Sequence, residues 1–290
     1  MTINIGVAIA SYNRREKTLA CLKALYHSAD VGGVSLFVSL VDDGSTDGTS
    51  RAVAFSYPKV HIIQGDGGLF WAGAMRISFA RLLEKGCDYY LLLNDDTLLV
   101  DNAFNILLSD VNTVCGDRDE PILLGGAVRS DATGQQTYGG RARYRNGIFY
   151  KTTSRLPTGR PQSCNLLNAN VLLLSKSTAD LIGNLSDGFT HGLADFDYSL
   201  RAEKAGVNVL IASQFVGYCE ANSQKLTYFD ENLTLKERWR LMMAPKGLPV
   251  KPWLLFARRH TGAAWPAYFL WPYIKFWGRA MFNTLGLRKP

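Results

Sequence analysis

The sequence predicts an α/β fold with a mainly parallel, doubly wound sheet. Short apolar runs typical of buried strands alternate with segments of helical periodicity along most of the chain. Four of these runs end in clusters of polar turn residues, as strands do at the ligand-binding edge of such a sheet. With 290 residues, 47% of them hydrophobic, the chain is long enough for one large domain and a smaller appendage.

The first half of the chain supplies four predicted strands and the helices between them. Leu19, Leu22 and Leu25 share one helical face, which is typical of a helix packed on a sheet. Clusters of Gly, Asp and Ser end the second and third strands. The predicted strands are 3–10, 35–41, 60–64 and 89–93, and the predicted helices are 16–28, a segment near residue 51, and 71–84.

The second half of the chain is less regular. Residues 128–165 are rich in Gly, Arg and Tyr, which indicates a hairpin or mobile loops over a site. An apolar strand is predicted over 166–174. A helix follows over 195–205, ends at Gly206 and leads into a strand over 207–212.

Charge and aromatic content are unevenly distributed along the chain. Residues 234–290 carry a net charge of +10, residues 1–233 carry −3, and five of the six Trp lie in the later segment. Nucleic acid is one partner for such a segment, but aromatic residues interleaved with Lys and Arg favour a membrane interface. The predicted domains are a catalytic domain over 1–225, with a nucleotide-binding part over about 1–97 and an acceptor part over about 98–225, and a helical C-terminal segment over 226–290.

The C-terminal segment has no clean run of about 20 apolar residues, so a spanning helix is not predicted. An amphipathic segment lying in the plane of an anionic membrane surface is the preferred interpretation. Packing of the aromatic residues against the catalytic domain, or in a homodimer, remains an alternative.

The cysteine pattern indicates a cytoplasmic protein. Five cysteines are spread widely, without a CxxC pair or a Cys/His cluster, so neither a zinc site nor a disulfide framework is predicted. The apolar run near the N-terminus is too short for a signal-peptide core.

The predicted strand at 89–93 ends in the polar run Asn94-Asp95-Asp96. Carboxylates at the end of a buried strand are costly unless a positive charge lies nearby. Mg²⁺ or Mn²⁺ would suit these oxygen ligands and would hold a phosphate in turn. A polar turn that caps the next helix is the alternative interpretation.

Two further polar clusters carry candidate functional residues. Asp42 ends the second strand, where a carboxylate can accept a hydrogen bond from a ribose or a base, although an Asx turn would look the same. Asp195 and Asp197 lie near a helix start, so one can face a site while the other pairs with Arg201, or all can be capping and surface charges. The chain has no GxGxxG and no P-loop motif, so neither nucleotide-binding signature is supported.

Together these motifs resemble the family 2 inverting glycosyltransferases with a GT-A fold, over roughly residues 3–215. The resemblance rests on the order and spacing of Ser11-Tyr12-Asn13-Arg14, Asp42-Asp43-Gly44-Ser45, Leu93-Asn94-Asp95-Asp96, and Asp195-Phe196-Asp197 with Arg201 and Gly206. The stretch Gly68-Leu69-Phe70-Trp71-Ala72-Gly73 is similar to rhamnosyltransferase-like members from bacterial polysaccharide gene clusters. The implied fold is a GT-A type, Rossmann-like sheet with a C-terminal helical, aromatic and basic extension.

The resemblance implies a role for each matching residue. Asp195 is the expected catalytic base, Asp96 the expected ligand of Mg²⁺ or Mn²⁺, and His191 and Asp197 are candidate acceptor or phosphate contacts. Asn94 stands where the family usually has the first Asp of a DxD motif, so the first metal contact is expected to be weaker or water-mediated. The residues expected to bind the nucleotide-sugar are Ala10, Ser11, Tyr12, Asn13, Arg14, Asp42, Gly67, Trp71, Arg76, Asn94 and Asp95.

The implied activity is inverting transfer of a hexose or rhamnose from a UDP- or dTDP-sugar by single displacement. The implied acceptor is a polyprenyl-diphosphate-linked saccharide or growing surface glycan, such as O-antigen or lipopolysaccharide, at the inner face of the cell membrane. A nucleotidyltransferase is one alternative, but it would normally show a basic, Gly-rich loop near its N-terminus. The non-enzyme alternative is a sugar-nucleotide-binding or membrane scaffold protein with weak catalysis. The Asn94 substitution supports this alternative.

Overall fold

The computed structural model describes residues 2–116, 118 and 120–284. The chain forms two compact units. One unit comprises Met1–Arg143 with Thr152–Ala221, and the other comprises Tyr144–Lys151 with Asn222–Pro290. Residues 285–290 of the predicted C-terminal segment lie outside the described residues.

A ten-stranded mixed sheet organises the first unit. Eight strands form the path β10-β13-β6-β12-β4-β1-β2-β3, while β5 pairs with β13 and β7 pairs with β6. The strands of this sheet are β1 (Asn4–Ser11), β2 (Ser35–Asp42), β3 (His61–Gln64), β4 (Tyr89–Asn94), β5 (Leu98–Leu99), β6 (Ile122–Arg129), β7 (Gln136–Tyr138), β10 (Gln162–Ser163), β12 (Val171–Ser175) and β13 (Asn208–Tyr218).

The sheet is mainly parallel, as predicted for a GT-A type, Rossmann-like fold. Strands β3, β2, β1 and β4 are all parallel, and β13 is parallel to β6. Within the sheet, β12 is antiparallel to both β4 and β6. The short strands β5 and β10 are antiparallel to β13, and β7 is antiparallel to β6. The predicted strand over 166–174 is in fact two strands, because β11 (Leu166–Leu167) ends before Asn168 and β12 begins at Val171.

Alternating side chains of the sheet face two layers of helices. On β1, Ile5, Val7 and Ile9 lie in one core cluster, and Ala8 and Ala10 lie in the other. Strands buried on both faces read as continuous apolar runs, which is why the sequence identified them. The helices of this unit are α1 (Arg15–Gly32), α2 (Thr49–Ser56), α3 (Phe70–Lys85), α4 (Ala103–Cys115), α5 (Lys176–Ile182) and α6 (Ala194–Lys204).

A hairpin occupies part of the segment that was predicted to be irregular. Strands β8 (Gly140–Asn146) and β9 (Phe149–Arg155) form a three-stranded sheet with β11. The tip of the hairpin belongs to the second unit, where the Phe149 ring lies 5.8 Å from Tyr268 and 5.6 Å from Trp271.

The second unit is helical and aromatic. It contains α7 (Leu235–Met243), α8 (Val250–His260), a 3₁₀ turn (Gly262–Ala264) and α9 (Trp265–Thr284). Thr234 and Glu237 form a capping box that starts α7. In the described part of the chain, no helix is both long enough and apolar enough to span a membrane.

Candidate active site

Three of the predicted motifs meet at one edge of the sheet. Strand β1 lies between β2 and β4, with Ser11 opposite Asp42 and Ala10 opposite Asn94. The carboxyl ends of these parallel strands therefore bring Ser11–Arg14, Asp42–Ser45 and Asn94–Asp96 together.

Asp42 forms the turn that follows β2. Its side chain is buried, and its Oδ1 accepts a hydrogen bond from Ser45 N at 3.0 Å. Its Oδ2 accepts hydrogen bonds from the Ser50 amide, at 3.1 Å, and from the Ser50 hydroxyl. The Asx-turn interpretation thus describes this carboxylate as it stands, and the contact with base or ribose stays a prediction.

Asp43, which was not among the predicted site residues, holds the glycine-rich loop before α3. Its buried carboxylate accepts hydrogen bonds from the backbone amides of Gly67 at 2.9 Å, Leu69 at 3.2 Å and Phe70 at 2.9 Å. A Cβ on Gly44 would lie 2.9 Å from Gly67 N, so the two loops touch where only glycine fits. Gly67 itself has a φ of 88°.

The loop after β1 is fixed by the loop after β2. Asn13 has a φ of 51° and accepts a hydrogen bond from Thr46 N at 2.8 Å. The Ser11 hydroxyl is buried 2.8 Å from that of Thr18, whereas the Tyr12 side chain is exposed. Of this run, Tyr12 and Asn13 are therefore the exposed residues.

Arg14 bridges the carboxylates that follow β4. Its Nη1 lies 3.0 Å from Asp95 Oδ1 and 2.8 Å from Asp96 Oδ2. The side chain of Arg14 is 40% exposed, whereas those of Asp95 and Asp96 are 7% and 15% exposed. The partly exposed guanidinium of Arg14 therefore balances two nearly buried carboxylates.

Asp95 retains unused hydrogen-bonding capacity. Desolvation raises the pKa of its carboxyl to about 6, although Arg14 favours the charged form. Its buried Oδ2 accepts no hydrogen bond of ordinary geometry from the described residues, although the nearby Ser11 hydroxyl also favours the charged form. Asp96 Oδ1 lies 3.6 Å from the thiol of Cys219, a weak donor.

The Asn94 amide is held by the indole of Trp71. Trp71 Nε1 donates to Asn94 Oδ1 at 2.8 Å, so this oxygen is already engaged. This contact joins the first turn of α3 to the end of β4, so the Asn94 side chain stabilises the structure at this point. It is consistent with the expectation that Asn94 is a poorer metal contact than an aspartate.

Asp195 lies in the first turn of α6, the helix predicted to begin there. Its Oδ1 accepts a hydrogen bond from Phe196 N at 2.9 Å, and its Oδ2 lies 3.4 Å from Asn168 Nδ2. Desolvation raises the pKa of the Asp195 carboxyl to about 6, against the stabilising effect of the Phe196 amide. The helix starts from Leu193 in a left-handed conformation, with a φ of 71°.

Asn168 and Asn170 connect Asp195 with Asn94, the last residue of β4. Asn168 contacts Asp195, and two residues later the carbonyl of Asn170 accepts a hydrogen bond from Asn94 N at 3.1 Å. Two residues of extended chain span only about 7 Å. The sequence analysis did not identify these two asparagines as site residues. The feature that could have identified them is that they interrupt an apolar run with polar side chains.

Asp197 takes part in a buried network within the protein. Its side chain is fully buried, and its Oδ2 lies 3.0 Å from Arg201 Nε and accepts a hydrogen bond from the Ser186 hydroxyl at 2.8 Å. Arg201 also donates to the carbonyls of Ile182 and Asn184. This network fixes the loop before α6, and a contact of Asp197 with an acceptor or a phosphate stays a prediction.

His191 and Arg76 belong to the contact between α3 and the loop before α6. The rings of His191 and Phe70 are 6.4 Å apart, edge to face. Arg76 Nη1 lies 3.5 Å from the Ser186 carbonyl, and Ala72 N donates to the Thr190 carbonyl at 3.0 Å. His191 therefore lies beside α3, and Arg76 lies on α3.

The carboxylates that follow β4 fit a divalent cation shared with a substrate. Among the described residues, no group of three or more His, Cys, Asp or Glu side chains is arranged to enclose a metal. Mg²⁺, however, is commonly held by one or two carboxylates together with substrate phosphates. Asp95 and Asp96 supply hard oxygen donors of that kind, and the unpartnered Asp95 Oδ2 leaves room for such a contact.

Comparison with known proteins identifies a family and solved structures of similar fold. Residues 6–162 match the family described as Glycosyl transferase family 2. No curated protein matches the chain. Among solved structures, a mannosyltransferase from Pyrobaculum calidifontis in complex with GDP-Man and Mn²⁺ is similar, with a TM-score of 0.55 and 14% identity over 100% of this chain and 77% of that one. At this identity, the likeness concerns the fold.

Proposed function

The chain belongs to glycosyl transferase family 2, and on that premise we propose that it is an inverting, metal-dependent enzyme that uses a UDP- or dTDP-sugar. The observation that carries the proposal is that Asp195 is joined through Asn168–Asn170 to Asn94, the residue that precedes the carboxylates at the end of β4. This arrangement supports a role for Asp195 toward an acceptor and for Asp95 and Asp96 toward a diphosphate.

Asp195 is the proposed catalytic base. An acceptor hydroxyl must lose its proton as it attacks the anomeric carbon from the face opposite the diphosphate. A carboxyl with a pKa of about 6 is charged at neutral pH yet more basic than an ordinary aspartate. The Phe196 amide and the Asn168 amide orient it.

Asp95 and Asp96 are the proposed site for the donor diphosphate and its cation. Mg²⁺ or Mn²⁺ bound there would neutralise charge on the leaving nucleotide. Arg14 lies beside both carboxylates and can turn toward a phosphate, because its side chain is partly exposed. The solved mannosyltransferase with the similar fold binds GDP-Man and Mn²⁺, which supports the same arrangement in this chain.

The nucleotide itself is proposed to lie over the ends of β1 and β2. Tyr12 offers an exposed ring, and Gly67 offers a loop whose backbone lies close to that of Gly44. The remaining predicted contacts would act chiefly by shaping this pocket. They are Ala10, Ser11, Asn13, Asp42, Trp71 and Arg76. His191 is retained as a contact of the sugar or acceptor.

Turnover is predicted to fall in acid with an apparent pKa of about 6. Protonated Asp195 cannot accept the acceptor proton, so kcat should drop about tenfold per pH unit below pH 6. The measurement is kcat from pH 5 to 8 at saturating donor, acceptor and metal. A flat profile over this range would rule out a base with this pKa.

Arg14→Gln is predicted to tighten Mn²⁺ binding in the absence of nucleotide. Removal of the guanidinium takes a competing cation from Asp95 and Asp96. Because the side chain of Arg14 is 40% exposed to solvent, we take its competition to be worth about 1 kcal/mol, or roughly fivefold in affinity. Titration followed by Mn²⁺ electron paramagnetic resonance measures this. Arg15→Gln is the matched control, since Arg15 pairs with Glu16. Unchanged or weaker Mn²⁺ binding by Arg14→Gln would contradict the competition.

The acceptor is proposed to be a lipid-linked or growing surface glycan at the cytoplasmic face of the membrane, in bacterial polysaccharide biosynthesis, with rhamnose as the sugar that the sequence favours. On α9 the side chains of Leu270, Ile274 and Trp277 are exposed at i, i+4 and i+7, so they form one apolar stripe. Basic residues end α8. Such a surface suits an anionic bilayer interface.

The full chain is predicted to co-sediment with anionic liposomes at low salt. Binding should weaken as salt screens the basic residues, and zwitterionic liposomes should bind less. Leu270→Gln with Ile274→Gln should reduce binding by removing apolar contact area. If the protein stays in the supernatant with anionic liposomes at low salt, the membrane proposal fails.

A further inference from the structure

A cavity in the second unit combines aromatic walls with three cations. It encloses about 290 Å³ between α7, α9 and the segment before α7. Its charged lining residues are Arg238, Lys275 and Arg279, and no Asp or Glu is among the described residues of its lining. Tyr228, Phe229, Trp271 and Phe276 form its aromatic part.

The three cations have no carboxylate within ion-pair distance among the residues that the structure describes. Arg238 is held in place, because its Nε donates to the Tyr228 carbonyl at 3.0 Å and its guanidinium lies 5.6 Å from the Phe276 ring centre. Like charges gathered in one concavity raise the local concentration of anions.

The apolar surroundings point to an amphiphilic anion rather than a simple one. Trp271 is 50% exposed and Phe229 is 52% exposed, although both line the cavity. The apolar stripe of α9 (Leu270, Ile274 and Trp277) lies on the same helix as Trp271, Lys275 and Arg279. An anion with a hydrocarbon chain would satisfy both the cations and the exposed apolar surface.

We propose that this cavity binds the phosphate or diphosphate headgroup of a lipid, with the lipid chain along the apolar stripe of α9. A volume of about 290 Å³ suits a headgroup and the first carbons of a chain, not a whole lipid. The inference rests on the proposed function in one respect, that this lipid is taken to be the one that carries the acceptor glycan. Binding of the lipid to the cavity does not itself require sugar transfer.

The test uses the full chain and farnesyl diphosphate as a soluble probe, followed by Trp fluorescence, since Trp271 lines the cavity. Farnesol lacks the anion and inorganic diphosphate lacks the chain, so each should bind at least tenfold more weakly. Inorganic diphosphate that binds as tightly as the probe would show a simple anion site and overturn the lipid assignment.

The decisive variant is Lys275→Gln with Arg279→Gln, which alters two exposed side chains. It should weaken binding of the probe at least tenfold. Lys246→Gln with Lys251→Gln removes the same charge from exposed positions outside the lining of the cavity and should stay within twofold of wild type. Wild-type affinity in the first variant would overturn the proposal.

The same variant separates this inference from the proposed function. Its stabilisation by nucleotide and metal should equal that of the wild type, since the carboxylates that follow β4 are unaltered. Loss of lipid binding with intact nucleotide binding supports the cavity, whereas absence of nucleotide binding in both proteins would tell against the transferase instead.

Discussion

Asp195→Asn is expected to abolish sugar transfer while leaving nucleotide binding intact. The amide cannot accept the acceptor proton, and general base catalysis typically contributes about 10²–10⁴-fold, so kcat should fall by about 10³-fold. The amide can still accept the Phe196 hydrogen bond, so the start of α6 should keep its geometry. Initial rates at saturating donor, together with nucleotide affinity, measure the two effects.

Asp197→Asn is the matched control for this variant. Asp197 is buried against Arg201, and removing one partner of a buried pair costs about 3–5 kcal/mol. The control should therefore lower the melting temperature while leaving the turnover of the folded fraction close to wild type. Near wild-type turnover by Asp195→Asn would remove Asp195 from the role of base.

Asp96→Asn is expected to remove the metal dependence of nucleotide binding. Asp96 Oδ2 accepts from Arg14, and its Oδ1 meets only a weak thiol donor, so this carboxylate has capacity for a cation. Metal stabilisation of a leaving group is worth several kcal/mol, so kcat/KM should fall by at least about 10²-fold. Calorimetric titration of nucleoside diphosphate, with and without Mn²⁺, measures the binding part.

Asp101→Asn is the control for Asp96→Asn. Asp101 is exposed and lies just beyond β5, where it meets only His27 at 3.4 Å. It should bind nucleotide as the wild type does, with the same gain from Mn²⁺. If Asp96→Asn retains that gain, the cation is held elsewhere and the assignment of Asp96 is wrong.

The parallel half of the fold was readable from the sequence, for a physical reason. Strands β1, β2, β3 and β4 are apolar runs that end in turn residues, and their observed bounds lie within one residue of the predicted ones at each end. The direction of β12 was not readable, because an apolar run such as Val171–Ser175 looks the same in either orientation. Only its pairing with β4 and β6 reveals that it is antiparallel.

The sequence also predicted that the site residues would meet at one edge of the sheet, but it did not predict the contacts among their side chains. Residues that follow parallel strands meet at one edge, so Ser11, Asp42 and Asn94 were expected to be neighbours. The bond between Arg14 and Asp95 joins residues 81 positions apart, and no local pattern encodes it. Asn168 was missed for the same reason, since its partner Asp195 lies 27 positions away.

Adjacent acidic residues proved the hardest to assign from sequence. Asp42 was predicted to contact ligand, yet both it and Asp43 hold backbone amides of the chain itself. Asp195 and Asp197 were both candidates, and the sequence predicted correctly that one of them would pair with Arg201. In the structure, Asp197 is the residue that pairs with Arg201, and its side chain is fully buried.

A thermal-shift screen of UDP, dTDP and GDP, with and without Mg²⁺ or Mn²⁺, tests the central claim of a metal-dependent nucleotide-sugar site most directly. A nucleotide at 100 times its Kd should add about 2.7 kcal/mol to the free energy of unfolding. We expect UDP or dTDP to stabilise the protein only when the divalent cation is present, and Asp96→Asn to lose this effect. Absence of a shift with every nucleotide, or an equal shift without metal, would contradict the claim.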